Sequence, residues 1–326
     1  MILKRILVPL DGSPLAESAL AVAVRVAQAS DGSIVLVRVI GVPTTYTPYI
    51  YGPDMAQSPS LAQDLLDTEQ ENAEKYMAEI ARLDILAGIK VEPIIIPGTA
   101  GTAILNTIYE ENVDLIVMSS HGETGFKRLA LGSVAQHVSR HSTVPVLVLK
   151  GDGSTTSAFP DPASPSRSIT ALVALDGSEL AEASLEPAAY LVAALSAPTQ
   201  GRLLLCIVAN KQASRDKHGT VEHMHDEARK YLIGIAERLQ GSEIVKLKLA
   251  IEWSIEDSKD VADALIQAAE SGKVLESSHE FNGCDLIAIA THGRGGLQRW
   301  MAGSVTEDML GKTTLPMLIV RPRIEK

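Results

Sequence analysis

Apolar residues fall along the chain in short runs separated by polar, glycine-bearing turns. Residues 4–9, 34–40, 91–96, 115–119 and 146–149 are brief Val/Ile/Leu-rich runs, the length and composition of strands buried on both faces. Between them, 15–29, 64–87 and 102–111 space their apolar positions three and four apart. In the second of these, Leu65, Leu66, Ala73, Tyr76, Ile80 and Leu83 fall on one side of a helix. Ser13 stands where an N-cap belongs, and a further helix is predicted from about Ser133. Residues 41–63 are long for a connection and read as a surface loop or lid.

The alternation then recurs, with strands predicted at 169–175, 202–208, 245–251, 286–290 and 317–320. Residues 6–13 read ILVPLDGS and 171–178 read ALVALDGS, an offset of 165 (171 − 6); residues 114–150 align without a gap to 285–321, an offset of 171 (285 − 114). The difference calls for a net insertion in the second copy, and 276–283 (ESSHEFNG) is a natural place for it. Residues 151–168 are dense in Gly, Ser, Thr and Pro, the composition of a linker. The expected organisation is a domain at 1–150, a linker at 151–167 and a domain at 168–326. Strands alternating with helices in each half predict an α/β fold of two tandem doubly wound parallel sheets.

Composition narrows the function classes. The 326 residues suit two domains of ordinary size. Apolar residues make up 46% and aromatics 4%, which fits aliphatic strands under Ala-rich helices and argues against a base-stacking surface. Net charge is −11, with 11 Lys+Arg against 16 Asp+Glu in 1–150 and 18 against 24 in the remainder. Neither half is basic, so no nucleic-acid or membrane partner is expected, while a small anion held by backbone amides stays open. Cys206 and Cys284 form no CxxC or Cys/His cluster, which points to a reducing compartment. The longest apolar runs are strand-sized and the first ten residues lack the features of a signal peptide, so a cytoplasmic location is expected.

In open parallel sheets, ligands lodge beyond the carboxyl ends of the strands where the winding reverses. Both copies place the same residue types there. Asp11 and Asp176 follow the first strand of each copy. His121-Gly122 is followed after nine residues by Gly132-Ser133, and His292-Gly293 after nine by Gly303-Ser304. A glycine loop running into a helix start gathers backbone N–H groups suited to phosphate oxygens. Ser133 and Ser304 would add a hydroxyl; Asp11 and Asp176 could accept from ribose or adenine, or hold a metal on the phosphates. The alternative is that Asp-Gly-Ser and Gly-Ser are turns and helix caps alone.

Other candidates carry less. Gly311-Lys312-Thr313 ends like a phosphate-binding loop, but Thr306 occupies the required upstream glycine position and a strand follows. His223 and His225 with Asp226 read as a solvated helix face, and His137 and His141 lack a third ligand. No GxSxG elbow or Cys/His pair marks a nucleophile, so no catalytic or metal-ligating residue is assigned.

Taken together, the motifs resemble the universal stress protein family in its tandem form. The resemblance covers nearly the whole chain outside the linker, through the ILVPLDGS start, the SSHGETG and THGRGG loops, the LGSV and AGSV turns and the VPVLVL and LPMLIV terminal strands. The family's nucleotide-binding members carry Gly, two residues, Gly, nine residues, Gly, then Ser or Thr. The last three elements match at Gly122, Gly132 and Ser133, and at Gly293, Gly303 and Ser304. Ser119 and Ala290 stand in place of the first glycine.

The resemblance implies a Rossmann-like, adenine nucleotide alpha hydrolase-like fold of five strands per half. It implies Pro9 and Asp11 beneath a nucleotide, Val39 beside adenine, and Ser119, His121, Gly122, Gly132 and Ser133 around ribose and phosphates, with Val134 adding an N–H. Copy two offers Asp176, Val208, Ala290, His292, Gly293, Gly303, Ser304 and Val305, with Ala174 where copy one has Pro9, and copy one is the better candidate on that difference. The implied cofactor is ATP, with Mg as its companion ion, in a stress-response module whose hydrolysis is at most slow. The other reading is an interaction module without nucleotide, which the missing first glycine favours. The family also implies antiparallel pairing of the terminal strands at 144–149 and 315–320 within the chain, with a further homodimer left open.

Overall fold

The computed structural model describes residues 3–41, 59–121, 131–150, 159, 167–209, 221–271, 283–291 and 304–322. The first copy runs β1 (Arg5–Leu10), α1 (Pro14–Glu17), α2 (Ala19–Ser30), β2 (Ser33–Ile40), α3 (Pro59–Ile80), β3 (Lys90–Pro97), α4 (Ala100–Glu110), β4 (Leu115–Ser119), α5 (Ser133–His141) and β5 (Val146–Leu149). The second runs β6 (Thr170–Leu175), α6 (Glu179–Glu182), α7 (Leu185–Ser196), β7 (Arg202–Ala209), α8 (Val221–Gln240), β8 (Ala250–Asp257), α9 (Val261–Glu270), β9 (Leu286–Ala290), α10 (Ser304–Lys312) and β10 (Met317–Val320).

Within each half the five strands are parallel, in the order β3-β2-β1-β4-β5 and its counterpart β8-β7-β6-β9-β10. The halves join edge to edge: β5 pairs antiparallel with β10, Leu147 opposite Leu318, giving one ten-stranded sheet. Alternate residues of each strand feed two cores. One contains Ile6, Val8, Leu36, Leu147 and Leu318 beneath α2, α3, α7 and α8. The other contains Leu7, Val35, Val148 and Ile319 beneath α4, α5, α9 and α10. Each core draws on both copies, so burial is continuous across the seam.

Repeated local chemistry sets the strand starts. Asp114 Oδ2 accepts the backbone N–H groups of Lys4 and Arg5 at 3.0 and 2.9 Å, and Asp285 Oδ2 accepts that of Thr170 at 2.7 Å. These aspartates, which open the longer repeated block, therefore serve the fold. The helix predicted at 15–29 is divided at Ser18, and copy two is divided likewise at residues 183 and 184.

Several boundaries differ from expectation. Residues 59–63, assigned to a loop, begin α3, whose first residue is a proline suited to a helix start; the rest of that loop, 42–58, lies outside the described residues. The helix predicted at 64–87 stops at Ile80, and Asp84–Leu86 forms a 3-10 turn after Leu83 takes an extended conformation. The strand predicted at 245–251 is displaced. Ser242 Oγ accepts from Ile244 N at 3.2 Å and starts a 3-10 turn, Lys248 takes a left-handed conformation, and β8 begins at Ala250. The extra chain of copy two enters between α9 and β9, where 271–285 replaces the shorter 111–114 of copy one. Within the stretch expected to be a linker, Phe159 is 2% exposed and belongs to the first core.

Polar contacts tie the halves together beside the seam. Lys150 Nζ donates to Leu310 O near the end of α10, Arg321 Nη1 to His141 O at the end of α5 at 3.5 Å, and Arg140 pairs with Glu307. Cations at helix C-termini meet the negative end of the helix dipole. Burial pushes the Lys150 amine down to about 8 from its ordinary 10.5. Between these values the unfolded chain binds more protons than the folded one, so the contribution of Lys150 to stability grows as pH rises. Urea unfolding at about pH 7.5 and 9.5 should show the wild type gaining on Lys150→Met across that interval; a constant difference would refute the assignment.

Candidate functional site

The winding of copy one reverses between β1 and β4, and a cavity of about 310 Å³ opens at their carboxyl ends, at the lower end of the range for small-molecule clefts. Pro9, Asp11, Val39, Ser119, His121, Gly132, Ser133 and Val134 line it. The structure thus brings together the described copy-one candidates; Gly122 lies outside the described residues. Val37, Met118 and Ile104 supply apolar wall and Ala100 brings in the start of α4. Sequence reasoning did not name these four, although Val37 lies two residues before Val39, the residue the resemblance implied, and so shares its face of β2.

The Asp-Gly-Ser motif is a turn that ends in a cap. Asp11 Oδ1 accepts from Ser13 N at 3.0 Å and from Ser13 Oγ at 2.6 Å, and Ser13 Oγ accepts in turn from Ala16 N at 3.1 Å. Gly12 takes φ +88, a conformation that disfavours other residues. Copy two repeats the relay through Asp176, Gly177 and Ser178 with distances of 3.0, 2.6 and 3.2 Å. The structural role of this motif is therefore real, and it fixes each aspartate at the end of its first strand.

The far wall is equally ordered. Ser120 N donates to Leu149 O and Gly132 N to Ser120 O, both at 2.8 Å, which strap the ends of β4 and β5 to the start of α5. A Cβ at Gly132 would lie 3.1 Å from Ser120 O, so a side chain here would crowd the strap. Ser119, standing where the motif has its first glycine, donates its hydroxyl to His121 O at 2.6 Å. Its side chain is thus tied back to the loop backbone. The His121 Nδ1 lies 3.0 Å from Ser120 Oγ, while its buried Nε2 has no hydrogen-bond partner among the described residues. Burial, with the nearby Lys150 cation, holds this imidazole below its ordinary pKa. A half-buried neutral ring with an unmet nitrogen is equipped to hydrogen-bond a ligand.

In copy two, Asp176, Val208 and Ala290 occupy the matching strand ends, while Ser304 and Val305 begin α10. Ser304 and Val305 line an open depression with Lys259, Asp260, Val261, Ala262 and Asp308. His292, Gly293 and Gly303 lie outside the described residues. The remaining sequence candidates have local roles. Lys312 meets Asp263 and Asp308, and Thr313 N donates to Met309 O at 2.9 Å at the helix end. His225 Nε2 sits 2.9 Å from Asp257, and His141 Nδ1 sits 2.8 Å from His137 O. Among the described residues no helix is long and apolar enough to cross a membrane.

Two parallel α/β halves, each wound in the same order and joined at their last strands, define a duplicated Rossmann-like fold. The chain belongs to the universal stress protein family, whose model matches it twice, at 3–150 and 170–321. It is 31% identical over 147 residues to universal stress protein MJ0531 of Methanocaldococcus jannaschii, covering 45% of this chain and 82% of the relative. It is 24% identical over 324 residues to a universal stress protein of Mycolicibacterium smegmatis, covering 98% and 97%. A crystal structure of a universal stress protein from Archaeoglobus fulgidus shares the fold with a TM-score of 0.66 at 22% identity, covering 98% of this chain and 99% of that one.

Replacing Ser13 or Ser178 with Ala removes a cap and releases its aspartate, and should cost about 1 kcal/mol in each half. Chemical denaturation measures it, and unchanged midpoints would show the relay to be dispensable.

Proposed function

We propose that this protein is a cytoplasmic stress-response module whose first domain binds ATP in the cavity between β1 and β4. The observation that carries the reading is the convergence, in one cleft, of an apolar wall for a base, Asp11 at the first strand end, and the Gly132-Ser133-Val134 helix start. Val37 and Val39 flank the adenine, Asp11 meets the ribose, and the α5 amides with the Ser133 hydroxyl take the phosphates. His121 Nε2 adds one hydrogen bond. The domain division at 1–150 and 168–326, with 151–167 between, belongs to the same proposal.

Asp11 is the one carboxylate among the described lining residues, and its Oδ1 already accepts two hydrogen bonds. That donor set does not build a protein cage for Mg; an ion accompanying ATP would be held chiefly by phosphate oxygens and water. The described lining also presents no carboxylate or cationic pair arranged to activate a water, so hydrolysis is slow at most and the site works as a sensor.

Denaturing the freshly purified protein and identifying the released nucleotide by chromatography tests the reading. ATP in stoichiometric amount supports it. An empty protein whose melting temperature ignores Mg-ATP favours the interaction-module reading, with Ser119 as its cause. In titrations, Ser133→Ala should weaken ATP binding about three- to tenfold, the worth of one hydrogen bond, with stability unchanged because the Ser133 side chain is exposed. Unchanged affinity would remove Ser133 from the site.

A further inference from the structure

The seam between the halves carries a pseudo-twofold axis. Residues 114–150 and 285–321 align at an offset of 171, and Leu147 lies opposite Leu318, its own counterpart, in the β5–β10 pair. On one face of the sheet α2 and α7 pack across that axis. On the other, α5 and α10 are bridged by Arg140 and Glu307, and a cavity of about 210 Å³ lies between them.

The copies break their symmetry at this spot. Ser139 and Arg140 on α5 correspond to Leu310 and Gly311 on α10, and all four line the cavity. A glycine stands where exact repetition would place a second arginine, so the volume of that side chain stays open. One wall is therefore polar, while Leu310 and Ile319, with Leu131, make the other apolar.

The polar wall is unfinished. Ser139 is 4% exposed, and its Oγ has no hydrogen-bond partner among the described residues, not even the carbonyl one turn back that a helical serine commonly uses. Arg140 donates from Nη2 to Glu307, while its buried Nε is also unmet among the described residues. Native folds rarely bury hydroxyl and guanidinium groups without partners.

Water alone is a poor occupant. The volume is the share of about seven waters, each needing two to four polar partners, and Leu131, Leu310 and Ile319 offer none. A charged ligand is poorly served as well, because Arg140 and Glu307 neutralise each other. A dry cavity of about 150 Å³ already admits benzene.

We propose that the seam cavity is a binding site for a small uncharged molecule with an apolar body the size of a six-membered ring and one acceptor oxygen. The body packs against Leu310 and Ile319, and the oxygen accepts from the Ser139 hydroxyl and the Arg140 Nε–H. Such a ligand touches both halves, and it touches α5, whose first turn lines the cleft of the first domain. The site is independent of the nucleotide reading.

Methyl NMR of the full chain titrated with cyclohexanone tests it, with cyclohexylammonium and cyclohexanecarboxylate as the same ring carrying a charge. The expected result is saturable shifts at Leu310 and Ile319 while the exposed Leu83 stays in place, and binding of either ion at least about tenfold weaker. Ser139→Ala should weaken cyclohexanone binding about three- to tenfold. It should leave the urea midpoint of the probe-free protein unchanged or higher, because it removes an unmet hydroxyl. Ser139→Leu, which fills the cavity, should abolish the shifts, and circular dichroism checks that each variant folds. Absence of saturable shifts at Leu310 and Ile319 would show a cavity that holds water alone and overturn the proposal. Equal binding of the ions would overturn the uncharged class. Unchanged affinity in Ser139→Ala, or a lowered midpoint, would overturn the role of its hydroxyl.

Discussion

The antiparallel pairing of β5 with β10 is the contact on which the architecture depends. Both strands are four residues long, fully buried and apolar, and an unpaired strand of that kind would leave its backbone groups without partners. Pairing satisfies both edges at once and makes two five-stranded sheets one. Because the pairing is antiparallel, the carboxyl ends of the two halves face opposite ways. The two strand-end sites therefore open on opposite edges of the sheet, each beside its own helix start, and no single small ligand spans them. The crossed contacts from Lys150 and Arg321 place a residue of each half on the last helix of the other. Helix α5 has its N-terminus in the first cavity and its C-terminal carbonyl on Arg321, so the site is braced from the neighbouring half.

The repeated motifs divide into those that serve the fold and those free to meet a ligand. The Asp-Gly-Ser relay is the same in both halves to within about a tenth of an ångström, as expected of a turn that must start a helix in each copy. The residues around the two helix starts show no such constancy: where copy one has Thr99, Thr102 and His137, copy two has Asp260, Asp263 and Asp308. Helix starts tolerate Thr or Asp as caps, so this rim can change its charge without unmaking the fold.

Much of this was legible in the sequence because buried parallel strands are near-continuous aliphatic runs: β4, β5, β9 and β10 lie at their predicted limits. The reading was weaker where the pattern was half-buried. Strand β8 mixes Glu252, Glu256 and Asp257 with Trp253 and Ile255, and the preceding Ile244-Val245 pair mimics a strand although Val245 is 54% exposed. At the site, the strand-end aspartate and the helix-start Gly-Ser could be named from spacing, and Ser119 only from the family resemblance. The contribution of α4 could not, because Ala100 carries no chemistry that a sequence pattern advertises. Nor could spacing show that the Ser119 hydroxyl turns back onto His121 O or that His121 Nε2 is left unmet among the described residues, since both follow from side-chain direction.

The central claim is that a nucleotide sits against the start of α5 in the first domain. Amide NMR of the full chain during an ATP titration addresses it directly. The account predicts that Gly132, Ser133 and Val134 shift first and farthest, saturating together, while Ser304 and Val305 stay in place. Shifts confined to other surfaces, or none at Gly132 and Ser133 under saturating ATP, would contradict it.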